Sequence, residues 1–233
     1  MRKIGIAIPT WKRVQQTIDS FAQVLEDERI EDITIVDDAS DDDSFKRLCD
    51  HFESHDKVFL YRNEVNLDCY KNKYEAMKEA FSEFCILLDS DNTITPAYLD
   101  AIFAIPQWDA KTIYQPSFAR PHFDFRKWSG LTLTKENVAE YIRTDLMTAL
   151  NAMNFFINRE EYLRIWDGSV NPHTSDSIYF CYCWLAAGNK IHITPNLEYD
   201  HFIDPDGKGH YQTNWHLTGN FHKELMTKIN ELR

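Results

Sequence analysis

Short apolar runs alternate with helical patterns through the first hundred residues, and this order limits the fold more than any other feature. The runs predict strands at Lys3–Ile8, Asp32–Val36, Val58–Tyr61 and Cys85–Leu88. The segments between them repeat apolar residues at helical spacing, which predicts helices over Arg13–Leu25, Asp42–His55 and Cys69–Phe84. Successive strands that are joined by helices pair in parallel. The sequence therefore predicts an α/β fold with a Rossmann-like, mostly parallel sheet flanked by helices.

The second half is less regular but contains the same kinds of element. Its patterns predict helices at Pro96–Ala104, Ser175–Ala187 and Leu217–Leu232, extended segments near Thr112–Ser117 and Asn154–Asn158, and a strand at Lys190–Thr194. Residues 203–210 have the composition of a mobile loop, which is a candidate lid. With 233 residues, 43% of them hydrophobic, the chain has enough apolar side chains for one domain.

Charge and cysteine content exclude several classes of function. The chain has 25 Lys and Arg against 37 Asp and Glu, and its net charge of −12 disfavours nucleic acid as a partner. Its five cysteines lack the spacing of a metal or redox motif, so we expect reduced thiols in a cytoplasmic protein. No apolar run reaches the length of about 18 residues that a transmembrane helix needs. The amphipathic terminal helix predicts packing on the core, with peripheral membrane contact as an alternative.

Two acidic pairs follow predicted strands, at the edge where open α/β sheets bind ligands. Asp89 and Asp91 follow a wholly apolar strand, and such carboxylates converge on Mg²⁺ or Mn²⁺, whose open positions phosphate oxygens fill. A solvated turn explains the same pair. Asp37 and Asp38 end another strand, where a carboxylate accepts hydrogen bonds from a base or a ribose, although helix capping is the alternative.

The order of these pieces resembles glycosyltransferase family 2. The resemblance is carried, within residues 3–100, by Ile8-Pro9-Thr10-Trp11, Val36-Asp37-Asp38-Ala39-Ser40, Asn66, Lys73 and Leu88-Asp89-Ser90-Asp91-Asn92, and more weakly by Ser175-Asp176 and Tyr199-Asp200-His201. It implies a GT-A fold in which residues 1–100 bind a nucleotide sugar, residues 101–216 form a smaller acceptor-binding half with a lid loop, and residues 217–233 form a terminal helix. It further implies a metal-dependent enzyme that uses Mn²⁺ or Mg²⁺ and transfers a sugar, with inversion, from a UDP-sugar to a glycan or lipid-linked acceptor. Such a reaction belongs to glycan or polysaccharide biosynthesis.

The resemblance also implies roles for donor-side residues. Pro9, Thr10 and Trp11 match the turn that contacts the nucleotide, and Asp38 matches the carboxylate that reads the base. Lys73 stands where the family often has an arginine near the diphosphate.

The acidic motif and two later residues match the catalytic parts of the family. Asp89, Ser90 and Asp91 form the motif, in which Asp91 is the expected direct metal ligand and Asp89 a ribose or metal contact. Asp176 matches the general base, and His201 the late histidine that joins the metal or the diphosphate.

Three positions depart from the family pattern, and one loop adds a candidate. Asp68 replaces a usual glycine, Lys73 replaces the arginine, and Ser175 replaces the first acid of the pair before the acceptor-side helix. Lys208, in the predicted lid, is a further candidate cation for the leaving diphosphate.

Other interpretations of the same residues remain open. Asp176 is also a good helix cap, and His201 is also explained as a packed histidine. A nucleotide-sugar or glycan-binding module that has lost turnover would keep the same motifs. A nucleotidyltransferase is a second alternative, although the chain has no Gly-rich phosphate loop ending in Gly-Lys-Ser/Thr.

Overall fold

Four parallel strands and the helices between them make up the first half, as the alternating pattern predicts. The computed structural model describes residues 2–150, 154–203 and 214–233. In this half the strands are β1 (Ile4–Thr10), β2 (Ile30–Asp37), β3 (Val58–Arg62) and β4 (Phe84–Leu87), and the helices are α1 (Val14–Phe21), α2 (Ser44–Phe52) and α3 (Asp68–Glu79). β1 pairs in parallel with both β2 and β4, and β2 pairs in parallel with β3.

The second half extends the same sheet with mixed pairing. Its strands are β5 (Thr112–Arg120), β6 (Phe123–Asp124), β7 (Thr132–Leu133), β8 (Phe156–Asn158) and β9 (Lys190–Asp200). Its helices are α4 (Pro96–Phe103), α5 (Val138–Tyr141), α6 (Leu146–Ala149), α7 (Arg159–Ile165), α8 (Asp176–Ala186) and α9 (Gly219–Asn230). Short 3₁₀ turns lie at Ala22–Val24, Arg126–Trp128, His173–Ser175 and Trp215–Leu217.

One sheet of nine strands runs through both halves of the described chain. Its order is β3-β2-β1-β4-β8-β5-β9-β7, with β6 paired to β5. β8 runs antiparallel to β4 and β5, whereas β5 and β9 are parallel. The predicted α/β fold is confirmed, and the predicted division near residue 100 into donor and acceptor halves stays a prediction.

Apolar side chains cover both faces of the sheet because successive residues of a strand point to opposite sides. Ile4, Ile6 and Ile8 of β1 belong to one cluster, which also contains side chains of α1, α2 and α4. Ala7 belongs to the other cluster, which contains side chains of α3, α7, α8 and α9. Helices on both faces leave the carboxyl edge of β1, β2 and β4 for polar residues.

The terminal helix α9 packs on the core, as its apolar stripe predicts. Leu225 and Ile229 are buried in the same cluster as Trp184 of α8. No helix in the described ranges is long and apolar enough to cross a membrane.

Candidate active site

The turn after β1 holds the first predicted nucleotide-contacting residues. Pro9 and Thr10 are buried within the strand, and the Thr10 hydroxyl hydrogen-bonds the hydroxyl of Thr17 at 2.7 Å. Trp11 is the exposed member, with 49% of its surface accessible and the Lys12 ammonium 4.6 Å from its ring centroid. The structure therefore offers the Trp11 ring, and not the Thr10 hydroxyl, to a ligand.

Both carboxylates of the acidic pair after β2 are buried, and they make different contacts. Asp37 accepts hydrogen bonds from the backbone N–H (2.9 Å) and hydroxyl (2.5 Å) of Ser40, so it holds the turn together. Asp38 Oδ1 accepts from the Asn63 side chain and from the Leu67 N–H, both at 2.8 Å. Burial raises the pKa of Asp38, and these hydrogen bonds oppose that rise.

A buried network of asparagine side chains supports Asp38, and sequence reasoning did not predict it. Asn72 of α3 donates to the carbonyl of Val36 at 3.0 Å and accepts from Asn63 at 2.9 Å. Asn63 donates in turn to Asp38, so the network joins α3 to the end of β2. Asn72 lies beside Lys73 among the apolar residues of the buried face of α3, and this placement was the available signal.

Asp68, where the family usually has glycine, adopts a left-handed backbone with φ of 69°. Glycine reaches that conformation without steric cost, whereas aspartate needs local hydrogen bonds. Its Oδ1 accepts from the Cys69 N–H at 2.7 Å and its Oδ2 from Asn171 at 3.2 Å. The second bond ties the start of α3 to the segment before α8.

Lys73 connects the two halves of the candidate site. Its Nζ lies 2.7 Å from Asp176 Oδ2 and 3.2 Å from Asp89 Oδ1, and its side chain is only 8% exposed. Burial lowers the pKa of Lys73, but the charges of Asp176 and Asp89 outweigh it and hold the pKa well above its usual value. One charged ammonium therefore brings together a carboxylate of the turn after β4 and a carboxylate of α8.

Asp176 is the first residue of α8 and is buried. Besides Lys73, its Oδ2 lies 3.8 Å from the Cys69 thiol, and its Oδ1 accepts from Ser177 at 3.3 Å. Ser175, which replaces the usual acid, hydrogen-bonds His222 of α9 at 3.2 Å. The terminal helix therefore supports the turn that places Asp176.

An aromatic cluster lies beside this carboxylate on the neighbouring turns of α3. The Trp166 ring stacks on Tyr70 and packs at an interplanar angle of 33° against Tyr74, with centroids 5.2 Å and 4.4 Å apart. Tyr179 of α8 contacts Tyr70 edge-on and donates to Asp167 at 2.6 Å. Tyr70 and Tyr179 are buried, so Tyr74 and Trp166 are the rings of this cluster whose apolar faces a ligand can contact.

Asp91 forms an ion pair that sequence reasoning missed. Arg13 Nη1 donates to Asp91 Oδ2 at 2.6 Å, across 78 positions of sequence. Burial raises the pKa of Asp91, and the Arg13 charge opposes that rise. Ser90, between the two aspartates, is buried. The Asp89 N–H donates to Asn154 Oδ1 at 2.7 Å, so a backbone hydrogen bond fixes the acidic turn.

His201 follows β9 and faces the same edge of the sheet. Its Nδ1 is buried and has no hydrogen-bond partner among the described residues, and burial lowers its pKa. It lines a cleft of about 350 Å³ together with Gln16, Asp19, Asp91, Thr93, Asp200 and Phe202. Lys208 lies outside the described residues, as does most of the predicted lid loop.

The donor set at this edge fits a divalent cation that completes its shell with ligand oxygens. Asp89 and Asp91 supply hard carboxylate oxygens, and His201 supplies a buried ring nitrogen that has no hydrogen-bond partner among the described residues. The described residues contain no ready cluster of three or more metal-binding side chains. Mg²⁺ and Mn²⁺ commonly bind through one or two carboxylates plus substrate phosphates, so the residues present fit such an ion.

Comparison with protein-family models decides the family. The model described as Glycosyl transferase family 2 matches residues 6–166, which is more than half of the chain. This chain belongs to glycosyl transferase family 2. A comparison with curated protein sequences found no match.

Solved structures show that the family 2 chain has the GT-A fold. S. aureus TarS 1–349 in complex with UDP-GlcNAc superposes with a TM-score of 0.72 at 16% identity, over 97% of this chain and 65% of that one. The mannosyltransferase PcManGT from Pyrobaculum calidifontis, in complex with GDP-Man and Mn²⁺, gives 0.64 at 13% identity, over 100% of this chain and 70% of that one. The longer TarS structure gives 0.59 at 15% identity, and there the match spans 87% of this chain and 37% of that one. The chain thus spans less than two thirds of the TarS structures that it matches.

Proposed function

We propose that this chain is an inverting, metal-dependent glycosyltransferase that moves a sugar from a UDP-sugar to an acceptor hydroxyl. The observation that carries the proposal is the shared contact of Lys73 with Asp89 and Asp176. A transferase has to bring the leaving group of the donor and the nucleophile of the acceptor to one carbon atom. Asp89 at the donor edge and Asp176 on the acceptor side meet at one ammonium group, which supports that arrangement.

Asp38 and Trp11 suit the nucleoside part of the donor. A carboxylate accepts the imide N–H of uracil, and the exposed indole of Trp11 provides an apolar face for the donor. The neighbours bound to UDP-GlcNAc and to GDP-Man with Mn²⁺ support a nucleotide-sugar donor and a metal. We propose the uridine nucleotide because of Asp38. A thymidine donor presents the same imide edge and belongs in the same panel.

Asp176 acts as the general base in this proposal. Its carboxylate takes the proton of the acceptor hydroxyl as that oxygen bonds to the anomeric carbon, while the bond from that carbon to the diphosphate oxygen breaks. Attack from the face opposite the leaving group inverts the configuration of the carbon. Lys73 fixes the orientation of Asp176, because its Nζ holds Oδ2 at 2.7 Å.

Asp89, Asp91 and His201 would hold the divalent cation. When bound, the ion supplies positive charge to the departing diphosphate. Lys73 and Arg13 are the protein cations beside those carboxylates, and Lys208 is a further candidate in the loop. The acceptor would lie against the partly exposed rings of Tyr74 and Trp166. We propose a glycan or lipid-linked acceptor in glycan or polysaccharide biosynthesis, and a cytoplasmic location because five cysteines cannot all pair in disulfides.

A pair of assays on Asp176→Asn tests the proposal. We expect the variant to lose transfer by about 10²-fold or more while it keeps its affinity for UDP and Mn²⁺, because only the base is removed. A donor panel with Mn²⁺ provides the wild-type rate, measured as released nucleoside diphosphate. Equal, metal-independent background rates in both proteins would contradict the enzyme and favour the binding module. Release of pyrophosphate in place of the nucleoside diphosphate would favour a nucleotidyltransferase.

A further inference from the structure

Arg13 is a charged residue at the site whose contact with Asp91 the proposed function does not explain. It directly precedes α1, and its carbonyl accepts from the N–H and the hydroxyl of Thr17 at 2.8 Å and 2.6 Å, so its backbone is fixed. The side chain is 33% exposed and reaches Asp91 Oδ2 at 2.6 Å, where the Asp91 side chain is 20% exposed. The guanidinium makes no other hydrogen bond or ion pair within the described ranges. Its position therefore depends on one carboxylate.

That carboxylate is the one that the proposed function assigns to the metal. A divalent cation on Asp91 would stand beside the guanidinium, and two like charges on one carboxylate repel each other. The nucleotide changes this competition, because a diphosphate offers the guanidinium a second anion with which it forms paired hydrogen bonds. With both ligands bound, the metal pairs with the Asp91 carboxylate and the diphosphate pairs with the Arg13 guanidinium. Each side chain then keeps a partner of opposite charge when the Arg13–Asp91 ion pair breaks.

We propose that Arg13 is a placeholder: in the ligand-free protein its guanidinium occupies Asp91 in place of the divalent cation. Metal binding then depends on the nucleoside diphosphate. This inference rests on the proposed function, because it needs a metal at Asp91. It adds a positioning residue and an order of assembly: metal alone binds weakly, and metal with nucleotide binds together.

The test measures Mn²⁺ affinity without activity. Free Mn²⁺ is titrated by electron paramagnetic resonance with wild type, Arg13→Gln and the matched control Lys12→Gln, each with and without UDP. Lys12 carries the same charge one residue away but pairs with Asp41, so its variant controls for general electrostatics. We expect Arg13→Gln to bind Mn²⁺ about tenfold more tightly than wild type without UDP, and the gain from UDP to shrink by a similar factor. Lys12→Gln should change both quantities by less than about threefold.

The outcomes separate this inference from the proposed function. If wild type binds Mn²⁺ with UDP but Arg13→Gln matches Lys12→Gln without UDP, the placeholder role is wrong and the metal-dependent donor site stands. If none of the folded proteins binds Mn²⁺ in either condition, both are wrong. Arg13→Lys is the second variant, in case Arg13→Gln does not fold. It keeps the charge but loses the planar fork, and it should show the same changes at smaller size.

Discussion

The ammonium of Lys73 lies 2.7 Å from the carboxylate of Asp176, although 103 residues separate them in sequence. The same ammonium lies 3.2 Å from Asp89. All three side chains lie at the carboxyl edge of the sheet, where the first half of the chain meets α8. This contact joins the proposed donor and acceptor sites, and we expect it to contribute to the stability of the fold.

Lys73→Met should destabilise the fold by about 3 kcal/mol, because it leaves two carboxylates without their buried cation. The free energy of unfolding from urea titration measures the loss. Lys46→Met is the matched control, since Lys46 pairs with Asp50 at the exposed surface and should cost less than about 1 kcal/mol. Equal losses in the two variants would show that the buried pair adds nothing specific.

Asp38→Asn should weaken UDP binding by roughly tenfold at pH 7, because a charged acceptor is lost. In wild type the affinity should fall on acidification from a pH above 3.8, the usual pKa of aspartate, because burial raises the pKa of Asp38. A carboxyl whose pKa is raised by folding favours the folded state at low pH, and this contribution is lost as pH rises through the folded pKa. Protonation of Asp38 therefore does not destabilise the folded state in mild acid. Calorimetric titration at several pH values would contradict the assignment if Asp38→Asn kept the wild-type pH profile.

Asp68→Ala should be less stable than Asp68→Gly by about 1 kcal/mol. Both changes remove the hydrogen bonds to Cys69 and Asn171, but only glycine adopts the left-handed backbone without steric cost. The difference between the two thermal unfolding midpoints measures only the cost of placing a residue with a Cβ in the left-handed backbone conformation. Equal stability of the two variants would contradict the role that we assign to φ at this position.

Gly168→Ala should cost about 1–3 kcal/mol through overpacking. A Cβ at this position would lie 2.4 Å from the Trp166 ring, which packs against Tyr70 and Tyr74. Gly219→Ala is the control, because its Cβ would meet nothing within 4 Å, and it should change stability by less than about 0.5 kcal/mol. Because we propose that the cluster faces the acceptor, UDP affinity should be unchanged in both. Loss of UDP binding in Gly168→Ala would place the cluster at the donor instead.

The sequence predicted the parallel half and its polar edge well, because both follow from local patterns. Short, nearly continuous apolar runs lie in β1, β2 and β4, and parallel strands bring their carboxyl ends to one edge. That placement brought Thr10 and Asp38 together, and the Asp38 N–H donates to the Thr10 carbonyl at 2.9 Å. The roles of these side chains stay predictions.

Local sequence patterns do not predict the ion pairs at the site. Arg13 and Asp91 meet because α1 begins beside the turn after β4, and no spacing in the sequence encodes that contact. Lys73 was expected at the diphosphate, and the structure places it between two carboxylates, which only the tertiary packing of α3 against α8 produces. The two-residue strands β6 and β7 are too short to give a periodic signal.

Calorimetric titration of UDP into the metal-free protein, with and without Mn²⁺, tests the central claim most directly. The proposed site predicts that UDP binds in the presence of Mn²⁺, that the affinity drops sharply when the metal is chelated, and that Asp91→Ala removes the metal effect while the protein stays folded. If the folded protein takes up neither UDP nor any other nucleoside diphosphate with Mn²⁺ or Mg²⁺, the donor site and the transferase that we propose are both contradicted.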